Sequence, residues 1–519
     1  MLRSKAVVLS VLSGLLLAFS FPSWNPSWNG YCFAFIALIP LFFACGKKIA
    51  GHVAPFFLGW FAGLIYFSVS LYWVTISMHQ YGGLPWSISV FFMLLLSAYL
   101  AIYVGCFMSI IYFAEKNLLV VAPFAWVALE YLRGHLLTGF PWNALGYSQY
   151  LNLPLIQIAD IASVYGVSAL IVFINTALFL IVQTALDKKC IAKSPILILS
   201  AVLSVPLLYG FYRLSLPINS GNTIRVAVIQ GNIDQAIKWT PSAREKTIET
   251  YERLSLPFSQ HADLVIWPEA ALPVFFQNEP LYQQRLVDLT QKGKFSLLFG
   301  SPAFKATGSD QISLLNTAYL ISPSPKGPHI AQYDKIHLVP FGEYVPLKSA
   351  LFFVDKMVSG IGEFVPGEEA KVMAIPLEKG GSRTAPTIGT AICFEVIFPE
   401  VVRQFVQNGA NMMVTITNDA WFGRSAAPYQ HFSMVVFRAI ENRVPFARAA
   451  NTGISGFIDA HGAILHSGNL FVEEAQLENL SPRFQKTVYT LYGDFFAIGA
   501  VIITLIFMTL SPHMRRCFK

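Results

Sequence analysis

Residues 389–400 read Gly389-Thr390-Ala391-Ile392-Cys393-Phe394-Glu395-Val396-Ile397-Phe398-Pro399-Glu400. The reading predicts a buried strand over Thr387–Cys393 that hands its cysteine to a turn, and a helix over Pro399–Asn408 beyond it. Backbone N–H groups at such a helix start lack partners and carry partial positive charge. That setting is expected to lower the thiol pKa and favour the nucleophilic thiolate. The same N–H groups can receive an oxyanion.

Outward from this stretch the same grammar repeats between residues 215 and 490. Further strands are predicted at Ile224–Gln230, Asp263–Trp267, Phe295–Gly300, Asn316–Ser322 and Met412–Thr417. Helices are predicted at Ala243–Leu256, Leu281–Gly293 and Tyr429–Asn442. Short Val/Ile/Leu-rich runs alternating with amphipathic stretches indicate an α/β layered domain. Of six cysteines in the chain, Cys393 alone falls within this segment. One cysteine cannot form an internal disulfide there, so it stands as a candidate reactive thiol, against the plainer reading of an inert buried cysteine.

The flanks are different. The chain has 519 residues, 55% hydrophobic and 13% charged, with a mean hydropathy of +0.54. Soluble domains carry about a quarter charged residues, so these values indicate a polytopic membrane protein. A span needs about 20 apolar residues, and candidates lie near 6–21, 30–46, 53–76, 87–114, 118–137, 164–187, 194–214 and 491–511. The fifth contains or ends on Glu130, Arg133 and His135. The first imitates a signal peptide but reads as an uncleaved span.

Arg3, Lys5, Lys47, Lys48, Lys116, Lys188, Lys189, Lys193, Arg515, Arg516 and Lys519 all fall on one side of this arrangement. The opposite short loops, near 22–29, 77–86 and 138–163, contain no Lys or Arg. The positive-inside rule then puts both termini in the cytoplasm and 215–490 outside it. The expected organisation is a membrane domain over 1–214 with about seven transmembrane helices, an extra-cytoplasmic domain over 215–490, and a last transmembrane helix with a cytoplasmic tail over 491–519. The net charge of +7 is therefore a topology signal. No zinc spacing, phosphate-cradling glycine loop or basic nucleic-acid-binding helix is present. The loop Leu137-Thr138-Gly139-Phe140-Pro141-Trp142-Asn143 reads as an interfacial aromatic belt or a wall of a lipid-access site.

Two more segments carry chemistry. In Asp263-Leu264-Val265-Ile266-Trp267-Pro268-Glu269, a strand runs into a proline and Glu269 emerges at its C-terminal end, where ligand sites of α/β sheets gather. A partly desolvated carboxylate there suits a general base for a thiol. In Tyr333-Asp334-Lys335-Ile336-His337-Leu338-Val339-Pro340-Phe341-Gly342-Glu343, Lys335 lies in a largely apolar setting near two acids and could stabilise an oxyanion. His337 reads as a packed histidine.

No local spacing joins Glu269, Lys335 and Cys393. Taken in order, their segments resemble the Glu-Lys-Cys triad of the nitrilase (carbon–nitrogen hydrolase) superfamily over most of 222–470, including the strand-end loop Asn418-Asp419-Ala420-Trp421-Phe422-Gly423. Trp267-Pro268-Glu269, the run from Lys335 to Pro346 and Thr138-Gly139-Phe140-Pro141-Trp142, inside this architecture, resemble the apolipoprotein N-acyltransferase family over nearly the whole chain. The resemblance implies a multi-span α-helical membrane domain joined to an α/β four-layer (αββα) nitrilase-like domain, in the cell inner membrane with the catalytic domain periplasmic.

It also implies a two-step reaction. Cys393 takes an acyl chain from a phospholipid donor, usually phosphatidylethanolamine, and the thioester passes it to the N-terminal amine of a diacylated apolipoprotein. Glu269 would be the base, with Lys335 and the Phe394 N–H holding the oxyanion. By position, Glu343 would tune Lys335, Glu395 would support the site beside Cys393, and Trp239 and Asn316 would line or brace the pocket. The family often has Tyr after the cysteine; Phe394 keeps the backbone donor and lacks the phenol. No metal or organic cofactor is implied.

The glycine-bearing apolar segment 351–362 reads as a lid dipping into lipid or as an ordinarily packed loop. Two alternatives stand beside the acyltransferase. A membrane-anchored nitrilase-type amidase would use water to deacylate Cys393, but a simple anchor needs one span. A transporter with an outer domain would tolerate Cys393→Ala.

Overall fold

The computed structural model describes residues 4–23, 30–45, 53–114, 117–188, 193–218, 223–307, 311–324, 327–346, 363–376 and 385–510. The proposed lid at 351–362 lies outside them. Helices occupy the apolar runs: Ser4–Phe19, Val53–Ser70, Trp86–Tyr112, Leu118–His135, Ala159–Lys188 and Lys193–Ser215, with Phe495–Leu510 near the other end. Val53–Ser70, Trp86–Tyr112, 159–187 and 195–215 are long and apolar enough to cross a membrane. The run expected at 30–46 is broken into Tyr31–Phe35 and Ile39–Ala44.

Twelve strands follow in the described residues: β1 (Ile224–Gln230), β2 (Leu264–Ile266), β3 (Ser296–Thr307), β4 (Gln311–Ser322), β5 (His329–Asp334), β6 (Val372–Ala374), β7 (Thr387–Ile392), β8 (Met412–Thr417), β9 (Phe446–Ala450), β10 (Gly456–Ile458), β11 (Ile464–Ser467) and β12 (Glu474–Leu480). They form two six-stranded sheets, ordered β12-β1-β2-β3-β4-β5 and β11-β10-β9-β8-β7-β6. Each has a parallel trio, β1-β2-β3 and β7-β8-β9, flanked by antiparallel strands.

The period-2 alternation of strands explains the layers. Ile224, Val226, Val228, Leu264 and Ile266 join the core shared with the second sheet. Their neighbours Ala227, Ile229, Val265 and Trp267 face the other way, onto Ile248, Tyr251 and Leu286 of the helices Pro241–Ser255 and Pro280–Gly293. The second sheet is covered by Pro399–Gln407 and Ala427–Asn442. β8 and β9 are buried at every position, as a strand covered on both faces requires. The result is the expected αββα sandwich.

The helix Ala427–Asn442 also joins the sandwich to the N-terminal helices, and is buried along its length. Gln430 Oε1 accepts from Trp73 Nε1 (3.1 Å) and Trp142 Nε1 (2.8 Å). Trp142 is thus a buried contact between the two parts and not an interfacial belt residue. Farther along, the Ala159–Lys188 helix breaks at Ser163, whose φ is +55°. Glu441 Oε1 accepts from Ser163 Oγ (2.6 Å) and Val164 N (3.0 Å). The carboxylate serves N–H and O–H donors that the break leaves without helical partners.

Candidate active site

Strand ends bring the site together. β2 runs into Pro268 and delivers Glu269; the next residue, Ala270, takes a φ of +50°. Gly300 of β3 makes room for this turn, since a Cβ there would lie 2.5 Å from Ala270 N and 2.8 Å from Glu269 Cα. Lys335 follows β5, and Cys393 follows β7. Cys393 has a φ of +53°, a left-handed conformation costly for a residue with a Cβ. It opens the 3₁₀ turn Cys393–Ile397, and the α-helix begins only at Pro399.

Lys335 is the hub. Its ammonium is almost wholly buried, 2.9 Å from Glu343 Oε2 and 3.8 Å from Glu269 Oε1. Asn316 Nδ2, from β4, donates to Glu269 Oε1 and Glu343 Oε1, both at 2.8 Å. Val339 N donates to Glu343 Oε2 (2.7 Å). Burial alone would pull the lysine pKa down; Glu343 and Glu269 outweigh it and raise it above the ordinary value. The cation is therefore held ready beside the thiol.

The Cys393 thiol corrects the sequence reading. Burial pushes its pKa up, Glu269 adds to this, and Lys335 pulls only partly the other way. The local helix start does not decide the matter; desolvation does. The resting sulfur is a neutral thiol, so attack requires a base at hand.

Glu395 is fully buried and ties the Lys335 and Cys393 turns to each other. Oε2 accepts from Ile392 N (2.7 Å); Oε1 accepts from Tyr333 Oη (2.7 Å), Ile336 N (2.7 Å) and His337 N (3.1 Å). Burial pushes its carboxyl up to about 7, against the lowering by Tyr333 and Lys335. Phe394 packs edge-on against Phe398 (5.2 Å) and near His337 (6.0 Å). His337 lies over Phe398 at 3.7 Å, and burial holds it neutral with a pKa of about 4, which fits a packed histidine. Trp239 is 49% exposed, and among the described residues no hydrogen bond or ring contact ties it to Glu269, Lys335 or Cys393.

Sequence reasoning missed three buried residues. Lys238, beside Trp239, is fully buried and its Nζ donates to the backbone oxygen of Glu269 (3.3 Å). His431 Nε2 lies 3.2 Å from the Cys393 carbonyl oxygen. A carbonyl only accepts, so Nε2 carries the proton. Its Nδ1 lies 3.1 Å from both Asp419 Oδ1 and Arg448 Nη2; burial and Arg448 lower the ring's pKa, and Asp419 opposes them. Arg448 also donates to Asp419 Oδ2 (2.8 Å). Burial pushes Asp419 up, but Arg448 outweighs it and holds the carboxyl near about 2. The loop containing Asp419 was a legible signal; its partners were not.

Lys238 gives a pH-dependent prediction. Burial lowers its pKa to about 8, although Glu269 opposes this. The unfolded chain, with lysine near 10.4, then binds more protons between about pH 8 and 10.4, so stability rises with pH across that window. Methionine does not titrate. The wild-type melting temperature is expected to gain on that of Lys238→Met between those limits and to hold a constant offset below pH 8. A constant offset throughout would defeat this reading.

Comparison with known proteins gives the same picture in both halves. Residues 13–177 match the apolipoprotein N-acyltransferase N-terminal domain, and 225–481 match the carbon–nitrogen hydrolase domain. The apolipoprotein N-acyltransferase of Geobacter metallireducens is 46% identical, over 98% of this chain and 96% of its own. That of Haemophilus influenzae is 32% identical, over 98% and 95%. A nitrilase-superfamily amidase of Nesterenkonia AN1 aligns with 53% of this chain and 95% of its own at 20% identity and a TM-score of 0.37. With both domains matched in order and near-complete coverage at this identity, the chain belongs to the apolipoprotein N-acyltransferase family.

Proposed function

We propose that this membrane enzyme moves an acyl chain from a phospholipid to the N-terminal amine of diacylglyceryl-cysteine in apolipoproteins, through a thioester on Cys393. The observation that carries the reading is that Glu269 and Lys335, the latter paired with Glu343, bear on one buried thiol in a chain of this family. Glu269 takes the thiol proton as sulfur attacks the ester carbonyl. Lys335 and the Phe394 N–H receive the oxyanion. The C–O bond breaks, the lysophospholipid leaves with the proton from Glu269, and the acyl group stays on sulfur. The acceptor amine then attacks, Glu269 takes its proton, the C–S bond breaks and the thiol is restored. Splitting the transfer replaces one encounter of two lipids with two easier steps.

Phosphatidylethanolamine is the proposed donor, and the inner membrane the proposed location. Both termini are placed in the cytoplasm, with 1–214 and 491–519 carrying the spans and 215–490 in the periplasm. The one-sided distribution of Lys and Arg supports this orientation. Tethering the domain at the bilayer avoids lifting acyl chains into water, which costs about 0.8 kcal/mol per CH₂.

The test uses the intact protein and a phospholipid labelled on its acyl chain. Label is expected on Cys393, removable by hydroxylamine, and transferable as an amide to a diacylglyceryl-cysteine peptide. Free fatty acid with no labelled peptide would instead assign a hydrolase.

A further inference from the structure

A second polar site lies away from the thiol. A cavity of about 310 Å³ opens where the helices Ala159–Lys188 and Lys193–Ser215 meet the sandwich, with Asp160, Tyr209, Arg213, Arg443 and Lys486 in its walls. This volume is at the lower end for small-molecule sites. His431 touches the Cys393 carbonyl, and Arg443 follows the same helix at its far end, about 18 Å on at 1.5 Å per residue. The cavity is therefore not the catalytic cleft.

Its charges do not balance. Among its wall residues three cations, Arg213, Arg443 and Lys486, stand against one carboxylate, Asp160; the exposed Lys486 Nζ donates to the Gln407 backbone oxygen (3.4 Å), a neutral partner that leaves its charge uncompensated. Asp160 is already engaged: Arg443 Nη2 (2.8 Å) and Nε (3.1 Å) donate to Oδ2, and Tyr209 Oη lies 2.9 Å from both oxygens. Arg443 Nη1 is taken up by Gln157 Oε1 (2.5 Å). Arg213 has no such match. Its Nε is buried, 3.3 Å from Asp160 Oδ2 but without hydrogen-bond geometry, and has no hydrogen-bond partner. Arg483 adds a further guanidinium close by, donating to the backbone oxygens of Pro217 and Ile218. Burial and then Arg213 lower its pKa, while Asp459 raises it, so this pair of opposite charges leaves the excess at the cavity unchanged. Gathered, partly desolvated cations call for an anion.

The surface beside the cavity indicates which anion. Arg213 sits in the last turn of the Lys193–Ser215 helix. On that helix Val205, Leu208, Phe211 and Tyr212 are each at least 60% exposed. In a membrane protein, such a face lies against acyl chains, and a cation at its end meets headgroups. We propose that this cavity binds the phosphate of an anionic phospholipid whose chains lie along the helix, as a lipid site separate from the donor's. The recognised chemistry is a phosphate group, and the excess charge favours a net-negative lipid over a zwitterionic one.

The test titrates the full-length protein in neutral detergent with phosphatidylglycerol, with phosphatidylcholine and with inorganic phosphate alone, reading bound lipid by native mass spectrometry and stability by melting. Phosphatidylglycerol is expected to bind and stabilise the wild type, with phosphatidylcholine much weaker. Arg213→Gln and the exposed Lys486→Gln should each weaken phosphatidylglycerol binding about fivefold, and the double variant about 25-fold. Thioester formation on Cys393 serves as a separate check that each variant is folded. Equal binding of both lipids, or Lys486→Gln and Arg213→Gln variants that bind like wild type, would overturn the proposal. Stabilisation by inorganic phosphate equal to that by phosphatidylglycerol would overturn the lipid assignment.

Discussion

Lys335→Met is expected to slow acylation of Cys393 by about a thousandfold, the upper end of what removal of one oxyanion donor costs, while the protein remains folded. Methionine approximates the shape of the lysine stem, so the almost fully buried site keeps its packing. What disappears is the charge. Glu269 and Glu343 are bridged by one Asn316 amide, and Lys335 lies between them with contacts of 3.8 Å and 2.9 Å. Without it, two carboxylates share a desolvated place, and both cannot stay ionised without cost. The variant thus loses the proposed oxyanion donor and compromises the proposed base in one step. The thiol also loses the neighbour that pulls its pKa down. Single-turnover labelling with an acyl-labelled phospholipid measures the effect, with melting temperature as the control for folding. A rate within tenfold of wild type in a folded variant would remove Lys335 from the chemistry.

How much of this could be read from sequence varies with the range of the interaction. β1 and β8 have the limits expected of them, because each is a short run rich in Val, Ile, Met and Ala with few polar residues, and local pattern decides such strands. Glu269 and Cys393 were located as chemistry-bearing side chains at strand ends, and Lys335 as a lysine in an apolar setting near two acids; the strand His329–Asp334 that delivers it was not anticipated. Their convergence came from family resemblance, since contacts such as Asn316 to Glu269 depend on sheet order. β12 was not anticipated: Glu474–Leu480 is charged and half-exposed, and it is a strand because it pairs with β1 from far earlier in the chain. β6 and β10 have three residues each, too few to show a period.

The same division explains the errors at the site. A thiol at a helix start was expected to have a lowered pKa, which is a local argument. Its burial is a tertiary fact, and it wins. Lys238 and His431 looked ordinary because their partners are the backbone oxygens of Glu269 and Cys393, atoms that every residue type possesses. Trp142 looked like a belt residue because its partner Gln430 is 288 positions away.

The second large effect is expected at Glu395, a residue that need not touch substrate. Its two oxygens accept four donors, three of them backbone N–H groups. One of these, Ile392 N, immediately precedes Cys393; the others, at Ile336 and His337, immediately follow Lys335. The side chain therefore fixes the separation of the two turns. Glu395→Ala strands all four donors in a fully buried place, where each unsatisfied group costs roughly 1–3 kcal/mol. Allowing for relaxation, a loss of about 4 kcal/mol is expected, with acylation falling as the turns drift apart. Glu395→Gln is the graded companion. It keeps one acceptor oxygen, but its amide must face at least one backbone N–H, for a loss of about 1–3 kcal/mol.

The charge of Glu395 adds a pH signature. Burial raises its carboxyl to about 7, above the 4.3 of an unfolded glutamate. The folded protein then binds the extra proton between those values, and that stabilising contribution is lost as pH rises through 7. Glutamine does not titrate, so the stability margin of wild type over Glu395→Gln is expected to narrow from about pH 4.3 to 7 and to level off above. Melting curves of the two proteins across that range measure it. A margin that widens with pH would mean that the four donors outweigh burial and hold the carboxylate ionised. An alanine variant as stable as wild type would mean that the two turns are set by something other than this side chain.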